Sequence, residues 1–443
     1  MLEGFADDIL YLKILVVSFL SALIVKRLPN RDLIAGSLGF ALVAIVCRWH
    51  LLYSLTIIVA NLAFINVVPT KKLPLVSFCA TFAYLAFFRC AHLIGLPKPY
   101  PHANAVQLLV TLRCIGLCFE VADAKNAKKD DSEKRRNIEV PNTMQAFLYL
   151  YNFAGLFTGP YYSYQLHSDM VAGKNLTRIP FWHEVIPRLF LLFLFLPLLL
   201  FVSNMFPLAY MHTDAFFENH SFLYRLMYMS PVFVFLRMRV YCAWMLSESA
   251  CIANGIGAYP AESRPAPGAG PTDLDAYNRT KDDATEWSYE AIKNLDIGQV
   301  EMSDGFRSGM RAWNRSVQYW LATYVYKRSP KAARMPLTML VSAFWHGIHP
   351  GYYLSFLTIP LCTYAEDLIF SVFPKGTDGR RNKTFQVVWW FIRMRGFEYM
   401  AMGFLLLSFE STWRYWSSIY FCCHVVAIFA IIFALVMKQV VRR

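Results

Sequence analysis

The sequence predicts an all-α polytopic membrane protein, from its composition, its long apolar runs and the lack of alternation within them. Of the 443 residues, 56% are hydrophobic and only 16% are charged, whereas soluble domains average about 45–50% apolar and about 25% charged residues. That apolar content exceeds what one water-soluble core buries. Runs such as Leu189–Val202 and Val425–Met437 are continuously apolar. They exclude the alternating strands of a membrane barrel and leave helices as the spanning elements.

Basic residues indicate how these helices are oriented. The first apolar run, Ile9–Val25, precedes Lys26, Arg27 and Arg31, the reverse of the order in a signal peptide, so we expect an uncleaved first span. Because cytosolic loops carry the excess of Lys and Arg, the N-terminus is predicted to be lumenal. Basic residues at the C-terminal end predict a cytosolic C-terminus. Opposite ends require an odd number of crossings, which span length puts at about 11, within a range of about 9 to 13.

The whole chain, residues 1–443, is predicted to form a single membrane-embedded domain. The predicted helical segments are Ile9–Val25, Asp32–Cys47, Leu51–Val68, Leu75–Leu96, Ala103–Val121, Thr143–Thr158, Val185–Leu208, Phe222–Ile252, Ser308–Tyr326, Leu337–Phe373, Thr384–Phe409 and Trp413–Val440. A break is expected near Pro350 and Gly351, since membrane helices tolerate breaks where the backbone is buried in protein or lines a cavity.

Two polar stretches separate the apolar segments. Residues 123–141 contain a run with six Lys or Arg, Lys125–Arg136, and are predicted to form a basic cytosolic loop. Residues 258–303 begin with A-E-S-R-P-A-P-G-A-G-P-T-D, which predicts a polar loop. Within it, W-S-Y-E-A-I-K-N-L-D at Trp287–Asp296 predicts a short interfacial helix. The net charge of +13 lies mostly in short loops, so we expect anionic lipid and no nucleic acid as its partner.

Asn314 and His346 stand out because each is a polar residue in apolar, aromatic-rich sequence. Asn314 lies in R-A-W-N-R-S-V-Q-Y-W-L and His346 in S-A-F-W-H-G-I-H-P-G-Y-Y-L. Polar side chains at membrane depth are costly and mark functional sites. On a continuous helix, Arg311, Asn314 and Gln318 would form one polar stripe, at positions i, i+3 and i+7. The stripe alone equally predicts a hydrogen bond between two helices.

His346 favours catalysis over a structural role. A neutral imidazole in a cavity of low polarity can act as a general base near neutral pH. The sequence contains no G-x-S-x-G segment and no cysteine in a nucleophile's context, so direct attack fits better than an acyl-enzyme. His349 follows at i+3, but no third ligand is apparent nearby, so neither a metal nor a cofactor is predicted.

The two segments resemble the membrane-bound O-acyltransferase family, and within it closely the lysophosphatidylinositol acyltransferase branch. The resemblance lies in W-N-R-S-V-Q-Y-W-L-A-T-Y-V-Y-K at Trp313–Lys327 and F-W-H-G-I-H-P-G-Y-Y-L-S-F-L-T-I-P-L-C at Phe344–Cys362. Supporting stretches lie at Gly95–Leu109, at Thr158–Tyr162 (T-G-P-Y-Y) and at Ser411–Cys422. The catalytic His and Asn of the family match His346 and Asn314.

The resemblance implies an activity and a substrate path. Acyl-CoA would be the co-substrate and a lysophospholipid in the bilayer the acceptor, meeting in an internal tunnel. His346 would act as general base on the free sn-2 hydroxyl of lysophosphatidylinositol, and Asn314 would orient the acyl carbonyl. The branch implies a polyunsaturated chain such as arachidonoyl, and a location in the endoplasmic reticulum or a related endomembrane. The alternative keeps this chemistry with another lysophospholipid or a protein acceptor, and the sequence identifies no protein partner.

Further residues are predicted to bind substrate. Two are arginines in F-L-R-M-R-V-Y, which would meet a phosphate of the lipid or of CoA or else extend to the membrane interface. The full set of substrate-binding candidates is Arg311, Trp313, Gln318, Trp345, His349, Tyr352, Arg237 and Arg239. A transporter would line a conduction path with the same polar side chains, but it predicts interrupted helices in two related halves, and the sequence has no such symmetry.

Overall fold

The computed structural model describes residues 3–127, 138–173, 176–281, 284–376, 379 and 381–441. These residues are mostly helical, which confirms the predicted all-α class. The α-helices are α1 (Glu3–Val25), α2 (Arg31–Cys47), α3 (Leu51–Val67), α4 (Leu73–Cys90), α5 (Pro101–Asn126), α6 (Thr143–Tyr151), α7 (Tyr164–Ala172), α8 (Trp182–Met205), α9 (Asp214–Glu218), α10 (Phe222–Ala253), α11 (Leu274–Thr280), α12 (Ile297–Met302), α13 (Phe306–Ala312), α14 (Arg315–Tyr324), α15 (Arg334–His346), α16 (Pro350–Val372), α17 (Lys383–Leu406), α18 (Phe409–Ser418) and α19 (Cys422–Val441).

Short elements join these helices. Turns of 3-10 helix lie at Arg48–His50, Ala91–Ile94, Leu176–Arg178, Leu208–His212, Ala261–Ser263, Glu290–Ile292 and Tyr326–Arg328. Strands β1 (Tyr259–Pro260) and β2 (Trp287–Ser288) pair antiparallel, with Tyr259 opposite Ser288.

Eight helical stretches in the described part of the chain are long and apolar enough to cross a membrane. They are Asp8–Val25, Arg31–Val67, Leu73–Ile94, Pro101–Asn126, Trp182–His212, Phe222–Ala253, Pro350–Val372 and Cys422–Val440. Each coincides with one or two of the predicted segments. The polytopic class is therefore confirmed, while the count of about 11 crossings and the internal tunnel stay predictions.

The chain divides into two compact units. One comprises Met1–Phe193, Cys242–Leu295 and Asn314–Arg334, and the other comprises Leu194–Tyr241, Asp296–Trp313 and Met335–Arg443. Asn314 lies in the first unit and His346 in the second.

The first unit is organised around α5, which packs against α2, α3, α4, α6, α7 and α14. Arg113 of α5 is completely buried, and its guanidinium donates to the carbonyls of Tyr149 (3.3 Å) and Leu150 (3.4 Å) in the last turn of α6. It also donates to the carbonyls of Asn152 (2.9 Å) and Ala154 (2.7 Å), just after the helix. The last carbonyls of a helix have no partners within it, so a buried helix end needs donors from elsewhere. Arg113 supplies them and fixes the end of α6 on α5.

The second unit is built on α16, which packs against α17 and α19. The crossing of α16 and α17 is close because two glycines meet there: a Cβ on Gly351 would lie 2.2 Å from the carbonyl oxygen of Gly403. The backbone N–H of Gly351 also donates to the carbonyl of Leu407 at 2.7 Å. These contacts fix the start of α16, the helix that follows His346.

Three predicted helices are interrupted in the structure. Leu337–Phe373 divides into α15 and α16 at residues 347–349, which confirms the break expected near Pro350. Trp413–Val440 divides at Tyr420 and Phe421, both in the left-handed region. Ser308–Tyr326 divides at Trp313 and Asn314, so the prediction of one continuous helix there was wrong.

The polar stretch 258–303 is packed more closely than a loop. Tyr259, Ile292 and Asn294 are buried in it, and it contains β1, β2, α11 and α12. The helix predicted over Trp287–Asp296 was wrong, since only the turn of 3-10 helix at Glu290–Ile292 is helical there. Trp287 pairs with Pro260 between strands, and the backbone N–H of Asn294 donates to the carboxylate of Glu248 instead of a helical carbonyl. Of the predicted basic loop at 123–141, residues 128–137 lie outside the described residues, and α5 continues through its first residues to Asn126.

Candidate functional site

His346 is the last residue of α15 and is half-buried. The chain leaves the helix at Gly347, where a Cβ would lie 2.3 Å from the ring of Tyr352. Gly347 therefore lets the Tyr352 ring lie directly against the backbone next to His346. Pro350 is the first residue of α16. A backbone N–H at this position would have no partner within the helix, so the lack of an N–H in proline costs nothing.

Aromatic rings surround the imidazole of His346. Ring centroids lie at 4.7 Å for Trp345, 5.0 Å for Phe404, 5.5 Å for Phe356 and 6.0 Å for Tyr352. The Phe404 ring meets the imidazole edge-on, at an interplanar angle of 77°, an arrangement that aromatic pairs favour. These ring contacts restrict the orientation of the half-buried imidazole, as positioning of a general base requires.

The predicted neighbours of His346 are brought together in the second unit. Trp345 is buried and Tyr352 half-buried, and both rings contact His346. His349 is exposed, and its ring centroid lies 6.1 Å from that of Tyr352. Phe404 and Phe356 belong to the same ring cluster but were not among the predicted residues. Phe404 lies 58 positions beyond His346, and no local pattern in the sequence marks it.

Arg237 and Arg239 differ in their surroundings. Arg237 is buried in α10 and forms an ion pair with Glu301, whose other carboxylate oxygen accepts from the Tyr241 hydroxyl at 2.7 Å. The neighbour at i+2, Arg239, is exposed. A phosphate would have to compete with Glu301 for Arg237, whereas Arg239 lies on the accessible face of the helix. Substrate binding by either arginine stays a prediction.

Asn314 lies at the sharp turn between α13 and α14. Its backbone is left-handed, with φ 50° and ψ 49°, a conformation that few residues other than glycine adopt and that asparagine tolerates best. This turn separates Arg311 on α13 from Gln318 on α14, so the prediction that Arg311, Asn314 and Gln318 form one helical stripe was wrong. The i, i+3, i+7 pattern requires helical backbone through Asn314, which the turn interrupts.

The remaining candidates lie on the two sides of this turn. Arg311 is exposed on α13, and the Trp313 ring packs 6.0 Å from that of Tyr241, both in the second unit. Gln318 is half-buried on α14 in the first unit, where Trp320 anchors the helix by donating to the carbonyl of Leu112 at 3.0 Å. Asn314 itself is half-buried, and its side chain does not cap α14. Its carboxamide therefore makes no capping hydrogen bond to the first turn of that helix.

The family model described as "membrane-bound O-acyltransferase family" matches residues 40–409. The chain is 42% identical over 423 residues to the membrane-bound acylglycerophosphatidylinositol O-acyltransferase of Caenorhabditis elegans, covering 94% of this chain and 92% of that protein. The proteins of the same name in Xenopus laevis and Homo sapiens are 41% and 40% identical, covering 89% and 90% of this chain and 86% of each relative. The predicted resemblance is confirmed: the chain belongs to the membrane-bound O-acyltransferase family and is an O-acyltransferase.

Proposed function

We propose that this protein is a lysophosphatidylinositol O-acyltransferase that takes its acyl chain from acyl-CoA. The observation that carries the proposal is the identity of 40–42%, over about nine-tenths of the chain, to three relatives that are each named acylglycerophosphatidylinositol O-acyltransferase. The described helices that could cross a membrane suit an acceptor that resides in the bilayer.

His346 acts as the general base in this proposal. Its imidazole takes the proton from the free sn-2 hydroxyl of the lysolipid, and the hydroxyl oxygen attacks the thioester carbonyl carbon of acyl-CoA. The carbon–sulfur bond then breaks, an ester forms, and the proton passes from the imidazolium to the departing CoA sulfur. The aromatic rings around His346 support this role, because a general base must be held in a defined orientation toward the proton it takes.

Asn314 orients the acyl carbonyl and stabilises the charge that develops on its oxygen. A carboxamide N–H donated to that oxygen is worth roughly a 100- to 1,000-fold gain in kcat in acyl-transfer enzymes. The left-handed backbone of Asn314 supports a catalytic role, since strained conformations concentrate at functional sites. Arachidonoyl-CoA is the proposed donor, and the endoplasmic reticulum or a related endomembrane is the proposed location.

An acyltransfer assay on purified protein tests the proposal. Arachidonoyl-CoA and palmitoyl-CoA serve as donors, and the acceptors are lysophospholipids with inositol, choline, ethanolamine, serine or phosphate head groups. We expect transfer to the inositol lipid, faster with the arachidonoyl donor. His346→Ala and Asn314→Ala should each lower kcat by roughly 100-fold or more. His92→Ala is the matched control, since His92 is exposed in the turn at Ala91–Ile94, remote in sequence from both segments.

The other outcomes are equally informative. Full activity in His346→Ala would overturn the assignment of the base. Transfer to a different head group would keep the chemistry and contradict the acceptor. If no lysophospholipid is acylated, the lipid acceptor is wrong, and a peptide acceptor with a free hydroxyl becomes the next substrate to assay.

A further inference from the structure

The first turn of α14, immediately after Asn314, is capped from another part of the chain. A helix begins with backbone N–H groups that have no partner within it, and the side chain at the N-cap position usually accepts from one of them. Asn314 occupies that position in α14, and asparagine is among the residues that cap best. Its left-handed backbone nevertheless leaves its side chain without a capping bond.

Asn294 takes over this task within the same unit. Its backbone carbonyl accepts from the N–H of Arg315 at 2.8 Å, and its side-chain oxygen Oδ1 accepts from the N–H of Ser316 at 3.2 Å. Oδ1 also accepts from the Ser316 hydroxyl at 2.6 Å. Asn294 and Ser316 are both buried. One asparagine thus satisfies the first two N–H groups of the helix that Asn314 leaves uncapped.

Asn294 is itself held by buried polar groups. The carboxylate of Glu248 accepts from the backbone N–H of Asn294 at 2.8 Å and from that of Leu295 at 3.2 Å. Arg188 donates to the same carboxylate at 2.9 Å, which balances its charge. A buried carboxylate that is paired with a cation and accepts additional hydrogen bonds has a strongly preferred geometry. The position of Asn294 is therefore fixed by α8 and α10.

The T-G-P-Y-Y stretch contributes to the same arrangement. The backbone N–H of Tyr161 donates to the Ser316 hydroxyl at 3.0 Å, so this hydroxyl accepts from Tyr161 while donating to Asn294. The Ser247 hydroxyl donates to the carbonyl of Gly159. The stretch is thereby attached to α10 and to α14, which gives this part of the sequence a structural role.

We infer that Asn294 is a positioning residue for Asn314. By capping α14 in its place, Asn294 stabilises the left-handed turn and leaves the Asn314 carboxamide for the acyl carbonyl. The inference rests on the proposed function, in which Asn314 donates to the developing oxyanion. Without the side chain of Asn294, the buried N–H of Ser316 would lose its acceptor and compete for the Asn314 side chain, and a shift of about 1 Å in a catalytic group can lower the rate by roughly 100-fold.

The test compares kcat and KM in variants of the full-length protein. Asn294→Ala should lower kcat by roughly 10- to 100-fold, while the KM for acyl-CoA changes by less than about threefold. Asn294→Asp keeps an oxygen acceptor beside two helical N–H groups, a place that favours a carboxylate, and should restore most of the kcat. Asn294→Leu, which fills a similar space without an acceptor, should lower kcat as Asn294→Ala does, and wild-type kcat in that variant would mean that the side chain of Asn294 only fills space.

Asn61→Ala separates positioning from general stability. Asn61 is as buried as Asn294, and its carboxamide is hydrogen-bonded to Thr81 at 3.0 Å and to Ser77 at 2.5 Å in the same unit. Both alanine variants should lower the Tm in detergent, but only Asn294→Ala should lower the kcat of the folded protein. Equal kcat in Asn294→Ala and Asn61→Ala would overturn the inference.

A double variant shows whether Asn294 acts through Asn314. In the Asn314→Ala background, Asn294→Ala should cause little further loss of kcat. The same fold-loss in both backgrounds would contradict the inference while leaving the role of Asn314 intact. Full activity in Asn314→Ala alone would instead contradict the proposed function. If Asn294→Ala does not fold, Ser316→Ala replaces it: lower kcat than wild type supports positioning, and wild-type kcat overturns it.

Discussion

Glu366 of α16 caps α13 by accepting a hydrogen bond from the backbone N–H of Phe306, at the first residue of that helix. The same carboxylate accepts from the N–H of Arg307 at 3.1 Å and from the Trp389 indole at 3.1 Å. In the other unit, the carboxylate of Glu248 likewise accepts from two successive backbone N–H groups, those of Asn294 and Leu295, which lie between helical elements. In each unit, a buried carboxylate on a long helix supplies acceptors to a short segment that cannot reach water.

Replacing Glu366 with glutamine should destabilise the second unit. The glutamine side chain keeps one acceptor oxygen, but its NH2 group takes the place of the other. One of the buried N–H groups that donated to the carboxylate is then left without an acceptor. We expect the free energy of unfolding to fall by about 1–3 kcal/mol, seen as a lower Tm in detergent. Asp367→Asn is the control: Asp367 forms an exposed pair with Arg307, which is worth at most about 1 kcal/mol. Equal Tm values for the two variants would contradict the capping role.

Gly351→Ala should disrupt the crossing of α16 and α17. The new Cβ would lie 2.2 Å from the carbonyl oxygen of Gly403, and a carbonyl cannot move aside as a flexible side chain can. We expect poor recovery of folded protein and, in whatever folds, reduced activity because the start of α16 follows His346. Gly298→Ala in α12 is the control. Among the described residues outside the local backbone, its added Cβ meets only Asp296, at 3.6 Å, so that variant should fold normally. Normal recovery of Gly351→Ala would show that the helices can separate without cost.

Phe404→Ala should lower kcat by about 10-fold, because the His346 imidazole loses a ring that restricts it. Phe404→Leu, which keeps most of the bulk, should have a smaller effect. Phe391→Ala on the same helix removes an exposed ring and should leave kcat unchanged. Steady-state kinetics on the three variants check the order. A fall in kcat for Phe391→Ala as large as for Phe404→Ala would remove the case for a specific aromatic enclosure.

The buried ammonium group of Lys26 predicts how the stability of the folded protein depends on pH. Burial lowers the pKa of Lys26 to about 8 from its ordinary value of 10.5, with smaller contributions from Arg27 and Arg31. Below pH 8 the folded protein carries a charge that burial disfavours. Between pH 8 and 10.5 the folded form releases the proton while the unfolded form keeps it, so stability rises with pH across that window.

Lys26→Met should therefore raise the Tm at pH 7, and its advantage over wild type should shrink between pH 8 and 10.5. Thermal unfolding in detergent at several pH values measures both. Lys72→Met, at an exposed lysine, should show no such trend. A Tm advantage that is the same at every pH would mean that the ammonium, which lies 4.4 Å from the centroid of the Phe181 ring, is adequately compensated there.

The sequence predicts the long helices well but predicts poorly where the chain interrupts a helix or forms another local structure. Apolar runs such as Phe222–Ile252 end within a residue of the observed helix, because one-sided or uniform apolarity over many turns has few other interpretations. The turn at Asn314 is not visible in such a pattern. It depends on Asn294 and Glu248, which are 20 and 66 positions away, and no local propensity reports on them. The same holds for Trp287–Asp296, where strand pairing and a buried carboxylate replace the expected helix.

The sequence likewise predicted only part of the candidate site. His346 and its neighbours Trp345 and Tyr352 could be found together because they are close in sequence. Phe404 could not, because only the crossing of α16 and α17 brings it to the imidazole. Arg237 was predicted to bind substrate because it is a charged residue in an apolar segment. Its ion-pair partner Glu301 was not predicted, because it belongs to a stretch that the sequence predicts as a loop.

The starts of α13 and α14 differ in when the groups that hold them become available during synthesis. Tyr161, Arg188, Glu248 and Asn294 all precede α14, so the ribosome has already made every group that holds the first turn of this helix. Phe306 must instead wait for Glu366, 60 residues later. Domains generally fold from the N-terminus as the chain emerges. The left-handed turn at Asn314 would therefore form early, whereas the start of α13, just before it, has no capping carboxylate until α16 has been made.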